Sequence, residues 1–429
     1  MTTEFIIDGW SASGPDVTLH YHSGEISFAE HIQFPVDVET HHTVERLLDL
    51  LVIVAGVSYA KAVAPAVVRF PQIDISNAGY RLVEKTYNEG MREFAFHNGL
   101  PLTTAFVVAD EPRGADFTIE ALLHSPGIPL IPFGAGRDSC VVASALQHLQ
   151  PTLFTIGLNP FAQRIADTLS LKLLTASRSL DPALLKMNES GAPNGHIPVT
   201  AINSLISLIT AELTGHTSVV MANEKSASRP TRVKDGIEIN HQFSKSLEFE
   251  RVLGAAVDSA GSIVQYMSVL RDIPDHHISR AFATKCLDLH PLFMSCNQAM
   301  LRDDSKRSKG WCGQCPKCRG MFLSLAPYLS PAHITRIFGR DLLNDSTQIS
   351  GFHELMTDDS KPFECVADVQ EARDSMRQLL QSPAWSQHSV VMASRNLAEQ
   401  PATRTDEEQG DWSNTTFDAD IRAFLGQSA

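Results

Sequence analysis

The sequence predicts an α/β protein built around a parallel β-sheet with helices on both faces. Three observations predict it. From about residue 126 to 250, short apolar runs alternate with stretches of helical spacing. A turn of small residues, Gly134-Ala135-Gly136, follows the first of those runs. The chain is 43% hydrophobic and 20% charged, ordinary values for a protein that folds around a core. A small α+β region is expected ahead of the sheet and a helical, cysteine-rich region behind it.

Residues 1–40 alternate short apolar runs (Phe5-Ile6-Ile7, Val17 to Tyr21, Ile26 to Phe28) with Gly and Asp turn signals. That pattern reads as a β-meander or hairpin pair. From about 43 to 99 the spacing turns helical, through Val44, Leu47, Leu48, Leu51 and Val52, then Leu82, Tyr87, Met91 and Phe94. Ile128–Phe133 reads as a strand, although Pro129 and Pro132 sit awkwardly in a central one. A helix carries Val141, Val142, Ala145, Leu146 and Leu149. Leu153–Leu158 is a strand, Ala162–Leu169 a helix and Leu171–Thr175 a strand. Pro198 opens a helix through Leu213, and Ser218–Met221 is a strand ending at Ala222-Asn223-Glu224. This β-α order implies right-handed crossovers, with ligands held at the carboxyl ends of the strands. Beyond residue 250 the chain reads as mainly helical. Residues 396–411 read as a polar, acidic linker, followed by a docking turn at Phe417–Leu425. The expected divisions are an α+β domain at 1–125, a catalytic domain at 126–285, a cysteine-bearing helical domain at 286–395 and a tail at 396–429.

With 49 acidic and 35 basic side chains the formal charge is -14. A surface of that sign repels a phosphate backbone, so the expected partner is a small molecule and not nucleic acid. The N-terminus lacks the basic start and apolar run of a signal peptide. The most apolar stretch, Leu47–Ala66, carries Asp49 and Lys61 and reads as a buried helix, so no membrane span is expected. Seven cysteines, three of them within seven positions, fit metal binding in a reducing cytoplasm better than disulfides. The oligomeric state is left open.

The segment Gly134-Ala135-Gly136-Arg137-Asp138-Ser139 joins a strand to a helix start, where unpaired N–H groups suit an anion. It has neither the Gly-Lys-Ser/Thr ending of a Walker loop nor a dinucleotide fingerprint. It resembles the Ser-Gly-Gly-Lys-Asp-Ser motif of the PP-loop ATP-pyrophosphatases, which split ATP into AMP and pyrophosphate. That resemblance implies a HUP-like (adenine nucleotide alpha hydrolase-like) fold, ATP on Gly134 to Ser139, and Mg²⁺ bridging the phosphates with help from Asp138. Gly134, Ala135 and Arg137 depart from the motif's Ser, Gly and Lys. Arg137 keeps the charge, and Ala135 is a problem if its position needs a positive φ. An ordinary βα turn is the plainer alternative.

Cys312-Gly-Gln-Cys315-Pro-Lys-Cys318, with Cys296 sixteen residues upstream, supplies four thiolates for a structural Zn²⁺. An iron–sulfur cluster uses similar spacing, and buried free thiols are the plain alternative. A similar run holds zinc in PP-loop relatives such as 7-cyano-7-deazaguanine synthase. Cys140, Cys286 and Cys365 read as core or site-lining thiols, and His276-His277 as a loop pair.

Three polar segments are out of place as core filler: Asn194-Gly195-His196, Asn223-Glu224-Lys225-Ser226 and Asn240-His241-Gln242 running on to Lys245. With Gly313-Gln-Cys-Pro-Lys-Cys318 and Lys361-Pro-Phe-Glu-Cys-Val366, they resemble the MurL-type epimerases over roughly residues 125–375. The resemblance implies ATP-dependent activation of the terminal L-glutamate of UDP-N-acetylmuramoyl-L-alanyl-L-glutamate and its inversion to D-glutamate for peptidoglycan. An acyl-adenylate relieves the charge that a free carboxylate would add to a carbanion, so a base can take the α-proton. His196, His241 and Glu224 are the candidate acid–base residues, each near a strand end or helix start. Asn194, Asn223, Lys225, Arg229, Asn240 and Lys245 are the candidates for holding substrate. A PP-loop ligase or amide- or nitrile-forming enzyme is the competing reading. A tRNA-modifying enzyme fits the charge less well, and a decayed loop would suit a binding protein.

Overall fold

The computed structural model describes residues 4–115, 127–301, 304–401 and 416–427. The chain opens with β1 (Glu4–Ser13), β2 (Asp16–Ser23) and β3 (Ile26–Gln33), an antiparallel meander as the alternation predicts. Val17, Leu19 and Tyr21 of β2 all point into the core. Helices α1 (His42–Ala55) and α2 (Val57–Val63) pack behind the meander. They hold the apolar Leu47–Ala66 stretch, and its charges are matched inside the fold. Asp49 accepts a 2.8 Å bond from Trp10 Nε1, and Lys61 Nζ donates to Asn194 Oδ1 at 2.6 Å. β4 (Val67–Arg69), α3 (Asn77–Tyr87), α4 (Arg92–Asn98) and β5 (Val107–Val108) complete this part.

The middle of the chain follows the expected alternation. In order come β6 (Pro129–Pro132), α5 (Arg137–Ala145), β7 (Thr152–Ile156), α6 (Pro160–Leu169) and β8 (Leu173–Ser179). Next are α7 (Pro182–Glu189), α8 (Val199–Thr214) and β9 (Ser218–Glu224). A small hairpin, β10 (Arg232–Lys234) and β11 (Ile237–Ile239), leads to α9 (Leu247–Ser259) and β12 (Gln265–Leu270). β12 adds a strand to the mainly helical stretch expected beyond residue 250, pairing in parallel with β9 and ending the sheet.

The sheet has ten strands in the order β12-β9-β6-β7-β8-β3-β2-β1-β4-β5. β12 through β8 run parallel, and β3 joins β8 antiparallel, so the N-terminal meander extends the same sheet. The buried Arg178–Glu30 pair, 2.6 Å apart, pins that seam. Neighbouring residues on a strand feed opposite faces, as the pleat requires. Leu130, Phe154 and Val219 join α1, α8 and α9 in one core. Ile131, Leu153 and Val220 join α5, α6 and the C-terminal helices in the other. The two prolines of β6 are tolerated because they sit at its first and last positions, and the ladder resumes with Phe133 N donating to Phe154 O.

Helices α10 (Asp275–Lys285), α11 (Pro316–Leu325), α12 (Pro331–Phe338), α13 (Ile349–Leu355) and α14 (Val369–Gln381) pack on the α5 side. His276 and His277, expected in a loop, lie in the first turn of α10. Two short turns follow, α15 (Ser389–Ala393) and α16 (Arg395–Ala398), the second inside the segment read as linker. Residues 402–411 of that linker lie outside the described residues. α17 (Asp418–Leu425) docks on α5 and α10, burying Phe417, Ile421 and Leu425. No helix among the described residues is long and apolar enough to cross a membrane.

Candidate active site

Strand order reverses between β6 and β9, because later strands run to one side of β6 as β7 and β8 and to the other as β9 and β12. Such a switch point opens a crevice at the carboxyl ends of the strands. Here it holds a cleft of about 510 Å³ lined by Gly134, Gly136, Arg137, Asp138 and Ser139 after β6, and by Asn223 and Glu224 at the end of β9. No side chain caps α5, so the N–H groups of its first turn face the cleft mouth unclaimed by a cap. Ala135 adopts φ 60°, the left-handed region that favours glycine. Its carbonyl accepts a 2.9 Å bond from Met294 N, which ties the loop to the segment ahead of Cys296.

The guanidinium nitrogens of Arg137 are all taken by protein partners. Its guanidinium is buried, with Nε on Asp138 Oδ1 at 2.7 Å, Nη1 on Ser279 Oγ at 2.5 Å and Nη2 on Asp275 Oδ1 at 2.6 Å. Burial opposes its charge, but Asp138 and Asp275 more than offset that and hold the guanidinium firmly protonated. Arg137 therefore braces the loop from behind. Asp138 lines the cleft and keeps an exposed edge.

Glu224 caps the turn after β9, accepting from Ser226 Oγ at 2.8 Å and Ala227 N at 3.1 Å. Burial, then the nearby Asp138 carboxylate, push its carboxyl up to about 7. Asn223 is pinned by a 2.9 Å bond to Ser268 Oγ on β12.

The cleft is also lined by Cys365, in the segment leading to α14. Lys245 Nζ donates to its Sγ at 3.4 Å, and the His241 ring lies near enough to act on it as well. His241 Nδ1 in turn meets Glu93 Oε2 of α4 at 2.6 Å. Burial alone would raise the Cys365 thiol, but Lys245, His241 and Lys317 overcome it and bring it down to about 6. Burial likewise disfavours charged His241, and Cys365 and Glu93 lift it to about 9. His196 packs against His241, with ring centroids 4.3 Å apart and the planes tilted by 40°. Burial and the neighbouring His241 charge lower His196 to about 4, so it is neutral. Glu93, His196 and His241 bring one donor atom each within 4.8 Å. Nδ1 of His241 is taken by Glu93, so these two and the neighbouring Cys365 form a line of interacting groups with His196 packed beside it.

Neither histidine lines the cleft, because Cys365 and Lys245 stand in front of them. Of the expected substrate-holding residues, Asn223 and Lys245 line it, and four do not. Asn194 holds Lys61, Arg229 pairs with Asp368, and Asn240 Nδ2 donates to Ala227 O at 3.0 Å. Lys225 lies outside the lining, its backbone N–H donating to Ile273 O.

The four cysteines come together. Sγ atoms of Cys315 and Cys318 are 3.5 Å apart, Cys312 and Cys318 3.7 Å, and Cys296 and Cys315 4.0 Å. A tetrahedral zinc with bonds of about 2.3 Å needs sulfurs about 3.8 Å apart, so the donor set fits that ion. Pro316 then starts α11, which carries Lys317 into the cleft.

The MurL N-terminal domain family matches residues 3–269, and the MurL C-terminal domain family matches residues 292–409. The chain belongs to the MurL family. A MurL relative from Micromonospora sp. is 40% identical over 407 residues, spanning 91% of this chain and 87% of the relative. One from Salinispora tropica is 39% identical over 415 residues, with 94% and 88% covered. One from Xanthomonas oryzae pv. oryzae is 38% identical over 355 residues, with 81% and 77% covered. Each is named UDP-N-acetyl-alpha-D-muramoyl-L-alanyl-L-glutamate epimerase. No solved structure matches significantly.

Within this MurL chain, Cys365 was read as a core or site-lining thiol and lines the cleft, while sequence reading did not single out Glu93, Asp275 or Lys317. Glu93 sits in a helix without any motif, and its partner His241 is 148 residues away. The one available signal was Cys365 itself, inside the polar Lys361–Val366 segment that carried the MurL resemblance.

Proposed function

We propose that this chain is an ATP-dependent epimerase that inverts the terminal L-glutamate of UDP-N-acetylmuramoyl-L-alanyl-L-glutamate. One observation carries the reading beyond the relatives' shared name. A helix-start anion loop and ionisable groups of shifted proton affinity, Glu224 and Cys365 with Lys245, face one cleft at the switch point. The strand order β8-β7-β6-β9-β12 and the loop at 134–139 support a PP-loop assignment.

ATP and Mg²⁺ are assigned to the loop, with Asp138 the cleft carboxylate next to it. ATP supplies the chemistry of carboxylate activation. The chain's own residues hold the substrate, exclude water and move protons. Deprotonating carbon beside a free carboxylate builds a dianion, and joining that carboxylate to AMP as a mixed anhydride, with pyrophosphate leaving, would remove one of the two charges. Lys245 and Lys317 then add positive charge where the remaining one develops. We assign a structural Zn²⁺ to Cys296, Cys312, Cys315 and Cys318, and a cytoplasmic setting suits those reduced thiols. The relatives' name favours epimerisation over ligation by the same loop.

The test is incubation with ATP, Mg²⁺ and the UDP-muramoyl dipeptide in D₂O, followed by hydrolysis and chiral analysis of glutamate. The expected result is D-glutamate carrying deuterium at the α-carbon, with AMP and pyrophosphate released. Absence of both D-glutamate and AMP overturns the proposal.

A further inference from the structure

Three cysteines lie outside the four-thiol knuckle, and the fold treats them differently. Cys140 and Cys286 are buried against apolar neighbours, and burial raises both thiols, Cys286 to about 11. They are poor nucleophiles and poor bases at neutral pH. Cys365 faces the cleft with the Lys245 ammonium bonded to its sulfur and the charges of His241 and Lys317 close by. Behind it the Glu93 carboxylate orients His241, as a third group orients the base in nucleophile–base pairs generally. A merely structural thiol has no need of that apparatus. Facing the same cleft from the end of β9 is Glu224, and Lys245 feels the charge of both Cys365 and Glu224.

We propose that Cys365 is the base that removes the α-proton of the activated glutamate and that Glu224 is the acid that returns one to its opposite face, with His241 and Glu93 as positioning residues. This rests on the epimerase reading above.

The step balances as follows from the groups present. The thiolate takes the proton, so the C–H bond breaks, an S–H bond forms, and the electron pair passes into the enolate of the acyl-adenylate. The O–H bond of Glu224 then breaks and its proton bonds to carbon on the other face. That pair of electrons stays on the Glu224 carboxylate, and the enolate returns to a carbonyl. Water hydrolyses the adenylate to the carboxylate and AMP. Proton exchange with solvent restores the thiolate and the carboxylic acid. The proton affinities suit the roles, since near neutral pH Cys365 is mostly ionised while Glu224 is about half protonated.

The experiment compares wild type with Cys365→Ser and Cys365→Ala, using ATP, Mg²⁺ and the UDP-muramoyl dipeptide in D₂O. Pyrophosphate release reports activation, and α-deuterium and D-glutamate report proton transfer. The expected result is pyrophosphate release retained while exchange and epimerisation fall at least about 100-fold. Epimerisation within tenfold of wild type in Cys365→Ser overturns the proposal. Equal loss of activation and exchange in a folded variant also overturns it.

A second measurement needs no activity. Alkylation of the wild-type chain by iodoacetamide, mapped to Cys365 by peptide mass, is followed against pH. A half-maximal rate near pH 6 is expected, moving upward in Glu93→Gln. A midpoint of 8 or above in wild type overturns the thiolate assignment. Wild-type protein that releases no pyrophosphate with this substrate overturns the epimerase reading instead, and the alkylation profile then still decides the state of Cys365.

Discussion

Arg137 Nη2 lies 2.6 Å from Asp275 Oδ1, both of them buried, so the arginine of the loop after β6 is committed to the first turn of α10. Asp275 in turn receives Ser279 Oγ at 2.9 Å. Removing one member of a buried pair strands the other, which costs more than the pair contributes. Asp275→Asn is expected to destabilise the chain by about 3 kcal/mol, the lower end of the usual range, because Asp138 still faces the guanidinium. Urea unfolding measures it. A loss under about 1 kcal/mol would show that Asp138 alone compensates Arg137.

Ala135 sets three small effects against one another. Relief of a left-handed alanine favours Ala135→Gly by about 1–2 kcal/mol. The added backbone freedom of glycine costs about 0.5–1 kcal/mol. Loss of a fully buried methyl costs about 0.8 kcal/mol more. The expected outcome is near cancellation, with the melting temperature moving by less than about 3 °C in a thermal scan. A larger rise would mean the loop carries more strain than its φ indicates.

The strands of the middle region were legible because each apolar run is short, bounded by turn residues and followed by a helix start. The meander was legible from strict alternation in β2. β12 was not, since Gln265-Tyr-Met-Ser-Val-Leu270 is an edge strand with its first half outside the core, set between two helices whose spacing dominates the window. The four-cysteine cluster was visible because three of its members are local. The line of groups behind Cys365 was invisible for the opposite reason. Glu93, His241 and Cys365 lie on three separate segments, and only the packing of α4 against the turn before α9 and the approach to α14 brings them together. His196 and His241 were rightly singled out as unusual, but spacing cannot tell a residue that lines a cleft from one that stands behind it. Arg137 shows the same limit, because its direction is set by Asp275, 138 residues away.

The thiol knuckle holds the start of α11, and Lys317 lies between two of its members. Cys315→Ser is expected to lower bound zinc from about one per chain to a small fraction, read by elemental mass spectrometry. Because the same turn sets Lys317 at the cleft, activity should fall along with zinc. Retention of a full zinc equivalent would show that the metal is held elsewhere.

Glu224 makes a pH prediction with a definite sign. Its folded carboxyl titrates near 7, against about 4.3 in an unfolded chain, so between those values the folded state binds the extra proton. Its contribution to stability is full below about pH 4 and is lost as the pH rises through 7. Glu224→Gln removes that loss, because the amide oxygen accepts the same bonds from Ser226 and Ala227 without carrying a charge. The variant is therefore expected to be more stable than wild type at pH 8, by on the order of 2 kcal/mol, and indistinguishable near pH 4. Urea midpoints at the two pH values check this. The same change removes the proposed acid, so D-glutamate formation should collapse while stability rises, the trade expected of a charge kept buried for chemistry. A variant less stable than wild type at pH 8 would show that the Glu224 carboxylate is bound favourably by the cleft, and its role as a neutral acid would fall with it.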